Sequence, residues 1–142
     1  MDPANLGVVL DSSIVIEAER QQLDVTRFLR HIASQLGERE AALCAITVAE
    51  LAHGVHRANT AARREARRAF LDDLKAAVPV YPISGETAEL AGRINAESSQ
   101  KGVVIPFDDL LIGACALERG YSIATRNERH FRKISGLNLI PL

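Results

Sequence analysis

The sequence has no tryptophan, and aromatic residues make up only 4% of its 142 positions. Such scarcity disfavours base stacking on exposed rings as the main way of binding a nucleic acid. Cysteine is scarce too: Cys44 and Cys115 lie among small and apolar neighbours, without CxxC spacing. We therefore interpret both as buried thiols in a reducing, cytoplasmic compartment, and not as a disulfide or a metal site.

Long apolar runs are also missing. The longest uninterrupted stretch, residues 110–117, is far shorter than the roughly 20 residues that a membrane-spanning helix needs. The opening segment MDPANLGVVLDSS has no basic region followed by a cleavable apolar one, so we expect no secretion signal and no membrane association. Hydrophobic residues at 47% and charged residues at 25% are typical of a globular protein, which predicts a single domain over residues 1–142.

The chain has little excess charge of either sign. Its net charge of −1 is unlike that of most nucleic-acid-binding domains, which are basic. Positive charge is nevertheless concentrated in residues 57–68, with five arginines, and in residues 126–133. These segments are either solvated helix faces or the two sides of a groove around an acidic centre. On the second interpretation, four side chains are candidate phosphate contacts: Arg64, Arg68, Arg126 and Arg129.

Short apolar strands alternate with helical patterns along the whole chain. Strands are predicted at residues 8–10, 42–46, 80–83, 122–124 and 137–140. Helices are predicted at residues 14–19, 24–36, 61–77, 85–100, 106–119 and 127–133, and one more begins at Thr47. This alternation predicts a three-layer α/β/α domain with a central, mainly parallel sheet of about five strands. Pro82 indicates that the third strand lies at an edge or ends at this residue.

Polar residues stand where apolar runs give way to helices: Asp11, Glu50, Asp109 and Asn127. The carboxyl ends of parallel strands meet at one edge of a sheet, so we predict that these residues converge into one acidic pocket. Crowded carboxylates are poorly stable without cations. Mg²⁺ and Mn²⁺ prefer such oxygen ligands, and cleavage of a phosphodiester is a reaction that they support.

Each of these residues also has an ordinary structural interpretation as a helix cap. Asp11 stands at a helix start, although the two serines that follow it could cap the helix instead. Thr47 and Glu50 have the spacing of a capping box. One of Asp108 and Asp109 is expected to cap its helix while the other faces a cation, and the spacing leaves open which does which. Asn127 would be an ordinary cap.

Zinc is a competing possibility. Glu50, His53 and His56 lie three residues apart on one predicted helix. At about 100° per residue, this spacing spreads the side chains around the helix. It is also not the i, i+4 histidine pair of the HExxH proteases, so we do not favour a zinc site.

Four segments around these positions resemble the motifs of the PIN-domain nucleases, and within them the VapC-type toxins of bacterial and archaeal toxin–antitoxin pairs. LDSS at 10–13 is similar to the opening D-[ST]-[SN] motif, and TVAELAHGV at 47–55 resembles the T-x-x-E-L-x-x-G block. DLLIGA at 109–114 is similar to D-x-x-I-A-A, with Gly113 in place of the first alanine. TRNERHF at 125–131 resembles the closing T-x-[ND]-x-x-x-F segment. The four occur in the expected order over nearly the whole chain.

The resemblance implies an endoribonuclease that uses Mg²⁺ or Mn²⁺ on structured RNA such as transfer or ribosomal RNA. It implies inhibition by a small cognate antitoxin, and commonly a homodimer. Asp11, Glu50 and Asp109 would bind the metal, and Asn127 would complete the catalytic set. Three polar neighbours are expected to orient these groups: Ser13, Thr125 and Asp108. The four arginines named above would contact RNA.

Two alternatives remain open from the sequence. A PIN fold can serve as a catalytically silent module that docks a protein partner, although acidic residues at positions 11, 50 and 109 count against it. The chain could also be an RNA-processing PIN nuclease that has no antitoxin.

Overall fold

The computed structural model describes residues 6–37 and 39–142. Residues 1–5, part of the segment in which we expect no secretion signal, lie outside the described residues. The strands are β1 (Gly7–Leu10), β2 (Glu40–Cys44), β3 (Val80–Tyr81), β4 (Ser122–Thr125) and β5 (Leu139–Pro141). The helices are α1 (Ser12–Arg20), α2 (Val25–Leu36), α3 (Ala45–His56), α4 (Ala61–Ala77), α5 (Gly85–Gln100), α6 (Phe107–Glu118) and α7 (Glu128–Phe131). Of the helices that the described residues form, none has the length and apolar character to cross a membrane.

The strands of the described residues form one parallel sheet in the order β3-β2-β1-β4-β5. The chain builds outward from β1 to β2 and β3, and then returns to the other side of β1 for β4 and β5. Connections that leave β1 and β4 therefore turn away in opposite directions, which opens a crevice beyond the carboxyl ends of these two strands. The predicted parallel sheet is confirmed, and so is the edge position of β3, which is followed directly by Pro82.

Both faces of the sheet are covered by helices. Successive side chains of a strand point to opposite faces, and the residues of β1 show this directly. Val8 and Leu10 pack in a core with α1, α2 and α4, whereas Val9 packs in a second core with α5, α6 and the α7 segment. All three side chains are fully buried. The predicted three-layer α/β/α architecture is confirmed.

Most predicted elements are present with shifted ends. Helix α4 spans the predicted residues 61–77, but β2 and α3 meet two residues earlier than predicted. The helix begins at Ala45, so Ala45 and Ile46 belong to it and not to the strand. Apolar residues in the first turn of a buried helix cannot be distinguished from the end of a buried strand by their pattern. The last strand likewise begins at Leu139, two residues later than predicted.

Two capping interpretations are wrong. Thr47 is the third residue of α3 and is fully buried, so it cannot form a capping box with Glu50. Pro106 occupies the N-cap position of α6, and both Asp108 and Asp109 lie inside the first turn. There the two aspartates do not cap the helix, although their charges favour its positive end.

Candidate active site

Asp11 stands directly after β1 and is held from two sides. Its main-chain N–H donates to the carbonyl of Ala124 in β4, at 3.0 Å. The residue is 5% exposed, and its Oδ2 accepts hydrogen bonds from Ser13 Oγ at 2.8 Å and Thr125 Oγ1 at 2.9 Å. Asp11 does occupy the N-cap position of α1, but these contacts commit Oδ2 to the two hydroxyls. The side chain is thereby oriented at the crevice between β1 and β4.

The two hydroxyls also fix the loop that follows β4. Thr125 is 1% exposed, and its Oγ1 accepts a hydrogen bond from the main-chain N–H of Asn127 at 2.8 Å. Ser13 Oγ accepts one from the main-chain N–H of Arg126 at 3.0 Å. The start of α1 and the end of β4 are thus joined through Asp11. The structure brings Ser13 and Thr125 to the carboxylate that they were expected to orient.

Glu50 projects from α3 into the same region. Burial raises the pKa of its carboxyl to about 7, and the negative charges of Asp11, Asp108 and Asp109 add to this effect. The Ser12 side chain lowers the pKa by hydrogen bonding, but does not offset the rise. Glu50 Oε1 is buried and has no hydrogen-bond partner among the described residues. A buried carboxylate oxygen without a donor fits a cation ligand.

Asp109 lies in the first turn of α6, with its side chain 14% exposed. Its Oδ2 is 2.8 Å from Nδ1 of His130 on α7. Burial raises the pKa of Asp109, while the hydrogen bond and charge of His130 lower it and the charges of Asp11 and Asp108 raise it. Asp108 is exposed at the rim, and its charge raises the pKa of both half-buried acids, Glu50 and Asp109.

Asp11, Glu50 and Asp109 therefore converge, since the charge of Asp11 raises the pKa of both other carboxyls and the charge of Asp109 raises that of Glu50. The three carboxylates nevertheless do not form a metal site whose ligands are already in place. Among residues 6–37 and 39–142, no three His, Cys, Asp or Glu side chains are close enough to hold one metal ion. Like charges keep these carboxylates apart, whereas a divalent cation would draw them together. The oxygen donors and the unpartnered Glu50 oxygen fit Mg²⁺ or Mn²⁺.

Asn127 occupies the N-cap position of α7. Its Nδ2 lies 3.4 Å from Nδ1 of His130, the residue that contacts Asp109. Sequence reasoning missed two neighbours of the acidic cluster, Ser12 and His130. Each stands inside a quoted motif, but their contacts depend on elements that are distant along the chain.

The two basic segments differ in how their arginines are placed relative to the site. Arg126 and Arg129 are exposed and line a groove that also includes Thr125 and Asn127. The guanidinium of Arg126 donates to the main-chain carbonyl of Leu142 at 3.3 Å. This surface is continuous with the crevice, which favours the predicted phosphate contacts of this segment.

The arginines of α4 are largely engaged with protein groups. Arg68 pairs with Asp72 at 3.0 Å, and Arg64 donates to the carbonyl of Ala58 at 3.4 Å. Arg67, which the sequence did not single out, donates to Glu19 at 2.6 Å and to the carbonyl of Gly54 at 2.8 Å. It lines a cavity of about 190 Å³ that also reaches Glu50. Arg67 therefore shares a described cavity with one acid of the site.

Comparisons with known proteins agree with the fold. The model of the PIN domain family matches residues 8–137. Ribonuclease VapC1 of Rickettsia felis is 30% identical over 137 residues, which cover 96% of this chain and 97% of that protein. Ribonuclease VapC of Rickettsia bellii is 25% identical over the same shares of the two chains. This chain belongs to the PIN domain family, among its VapC ribonucleases.

Solved structures resemble the whole chain. In VapBC-5 from Mycobacterium tuberculosis, a chain that is 26% identical superposes with a TM-score of 0.73 and covers 96% of this chain and 98% of its own length. VapBC2 from Rickettsia felis, bound to a DNA fragment from its promoter, gives a TM-score of 0.81 at 24% identity, with 95% of this chain and 98% of that chain covered. The second likeness shows the fold alone.

Proposed function

We propose that the protein is an Mg²⁺- or Mn²⁺-dependent endoribonuclease that hydrolyses phosphodiester bonds of RNA. One observation carries the proposal. Carboxylates from positions 11, 50 and 109 converge at the crevice between β1 and β4, where the pKa of Glu50 is raised to about 7. Crowded acids of this kind repel a phosphate, so they suit a site that binds cations together with RNA. The names of the ribonuclease relatives support this choice of substrate.

In this proposal Asp11 and Asp109 are the main ligands, and Glu50 binds the cation directly or through water. When bound, a divalent cation supplies positive charge against the phosphate and lowers the pKa of a coordinated water. Ser13 and Thr125 hold Asp11 in place, and Asp108 adds negative charge at the rim. Asn127 contributes a polar group at the edge of the site. Arg126 and Arg129 bind backbone phosphates of the RNA along their groove.

The proposal extends to partners and location. A VapB-type antitoxin inhibits the enzyme, and the likeness to VapBC-5, a toxin–antitoxin system by name, supports that partner. We further propose a homodimer acting on RNA in the cytoplasm. Expression of the chain alone should arrest growth, and expression with its antitoxin should restore it. Harmless expression of an RNA-cleaving parent would instead favour an RNA-processing nuclease without an antitoxin.

The ligand assignment is tested with conservative changes at the two aspartates. Asp11→Asn and Asp109→Asn each remove one negative charge with little change of shape, so we expect RNA cleavage to fall at least about 100-fold while the protein remains folded. The assay uses transfer RNA and ribosomal RNA with Mn²⁺, and then with a chelator. Asp73→Asn on the exposed surface of α4 is the matched control and should retain full activity. Full activity in either site variant would refute the assignment.

A further inference from the structure

Helix α7 places a histidine against one of the acids of the site. Phe131 is fully buried in the core that includes α6, and it anchors the short helix there. The preceding residue, His130, lies at the surface of this junction with its side chain 31% exposed. Its Nδ1 is 2.8 Å from Oδ2 of Asp109, and the Asp109 side chain is 14% exposed. The contact therefore joins α6 and α7 through two residues that are 21 positions apart in the sequence.

The chemistry of this contact sets the direction of the hydrogen bond. An ionised carboxylate has only acceptors, so the proton must be on Nδ1 of His130. Donation to Oδ2 fixes the carboxylate plane of Asp109 and leaves Oδ1 as the oxygen that can face a cation. The two oxygens of Asp11 differ in the same way, because both of its hydroxyl donors, Ser13 and Thr125, donate to Oδ2. Each aspartate thus has one oxygen held by the protein.

We infer that His130 is a positioning residue for Asp109: by holding Oδ2 through its Nδ1–H, it presents Oδ1 to the divalent cation of the site. The inference rests on the proposed function, because it concerns the cation that this function requires. Carboxylate ligands of metals are themselves commonly oriented by hydrogen bonds, and loss of such a partner typically costs about 10- to 100-fold in metal affinity or activity.

Two substitutions separate the hydrogen bond from the bulk of the ring. His130→Leu replaces the ring with an apolar side chain of similar size that has no hydrogen-bond donor. His130→Asn can place its amide Nδ2 where Nδ1 stands, and so keeps the donor. His31→Leu, the same substitution at an exposed histidine on α2, is the matched control. Mn²⁺ binding to the metal-free proteins is measured by isothermal titration calorimetry, alongside kcat and KM for RNA and the melting temperature.

We expect His130→Leu to bind Mn²⁺ about 10- to 100-fold more weakly, with a lower kcat and an unchanged KM for RNA. His130→Asn should recover most of the affinity, and His31→Leu should bind Mn²⁺ as the parent does. The inference is overturned if His130→Leu binds Mn²⁺ like the parent, or if His130→Asn loses as much as His130→Leu, since the ring would then act only by packing. A parent that neither binds Mn²⁺ nor cleaves RNA would overturn the proposed function as well.

Discussion

Glu50 is a half-buried acid whose surroundings disfavour its negative charge. Burial first, and then the neighbouring aspartates, raise the pKa of its carboxyl to about 7. Near neutral pH the metal-free protein therefore exists as a mixture of protonated and ionised Glu50. A cation that displaces the proton of Glu50 would use the resulting carboxylate as a ligand and compensate its unfavourable charge. Metal binding is therefore linked to proton release.

This shift predicts how stability depends on pH in the absence of metal. Between about pH 4.5, where Glu50 ionises in the unfolded chain, and about pH 7, the folded state holds the extra proton. The free energy of unfolding should therefore fall as the pH rises through this window, by about 1–3 kcal/mol from this residue. Urea denaturation of the metal-free parent at pH 4.5 and pH 8 measures the fall, and Glu50→Gln should show a smaller one. Equal falls in the two proteins would contradict the burial of this charge.

At the scale of elements, a tyrosine side chain that crosses β1 stabilises the amino-terminal end of the sheet, which lies opposite to the site. Tyr121 precedes β4, and its hydroxyl donates to Glu40 at the start of β2, at 2.6 Å. Its ring covers Gly7, where a Cβ atom would lie 2.5 Å from the ring carbons. Glycine at this position is thus required by close packing, and the amino ends of β4 and β2 are joined over it.

Gly7→Ala should therefore destabilise the protein. The ring of Tyr121 must move to accept the methyl group, so we expect a loss of about 1–3 kcal/mol in the free energy of unfolding. Gly92→Ala is the matched control, because it lies in the exposed part of α5 with no atom within 4 Å of the added Cβ. That change should stabilise the helix by up to about 1 kcal/mol. Chemical denaturation compares them, and a Gly7→Ala variant as stable as the parent would refute this packing.

At the scale of the whole molecule, the strand order creates the site. The sheet reverses its direction of growth between β1 and β4, and Asp11 and Thr125 end these two neighbouring strands. Glu50 and Asp109 reach the same crevice from α3 and α6. Repulsion among the acids works against this arrangement, so the metal-free fold is less stable than its packing alone would make it.

Divalent cations should therefore stabilise the folded protein as a whole. A ligand that binds only the folded state adds about 2.7 kcal/mol at 100 times its dissociation constant, so Mn²⁺ or Mg²⁺ should raise the melting temperature and a chelator should reverse the rise. Thermal unfolding of Asp109→Asn should show little of this effect, whereas Asp73→Asn should show all of it. An equal rise in both variants would place the stabilising cations elsewhere on the surface.

The local sequence pattern was sufficient to predict many of the helices and strands of this protein. The helical, arginine-rich pattern of residues 61–77 predicted α4 to the residue, and Pro82 indicated an edge strand or a strand end. Where the pattern failed, tertiary contacts were the reason. Cys44 ends β2 because its partner in β3 ends there, and no neighbour in sequence carries that information. The hydrogen bond between His130 and Asp109 could not be predicted either, because it depends on how α7 packs against α6.

By itself, the sequence determined the alternation of strands and helices and the identity of the acidic residues, because periodicity and motif residues are properties of neighbours along the chain. Only the tertiary structure decided the strand order, the raised pKa of Glu50 and the oxygen of each aspartate that is held by a donor. The physical reason is distance along the chain: Thr125 donates to Asp11 from 114 positions away, and such contacts exist only after the strands have paired.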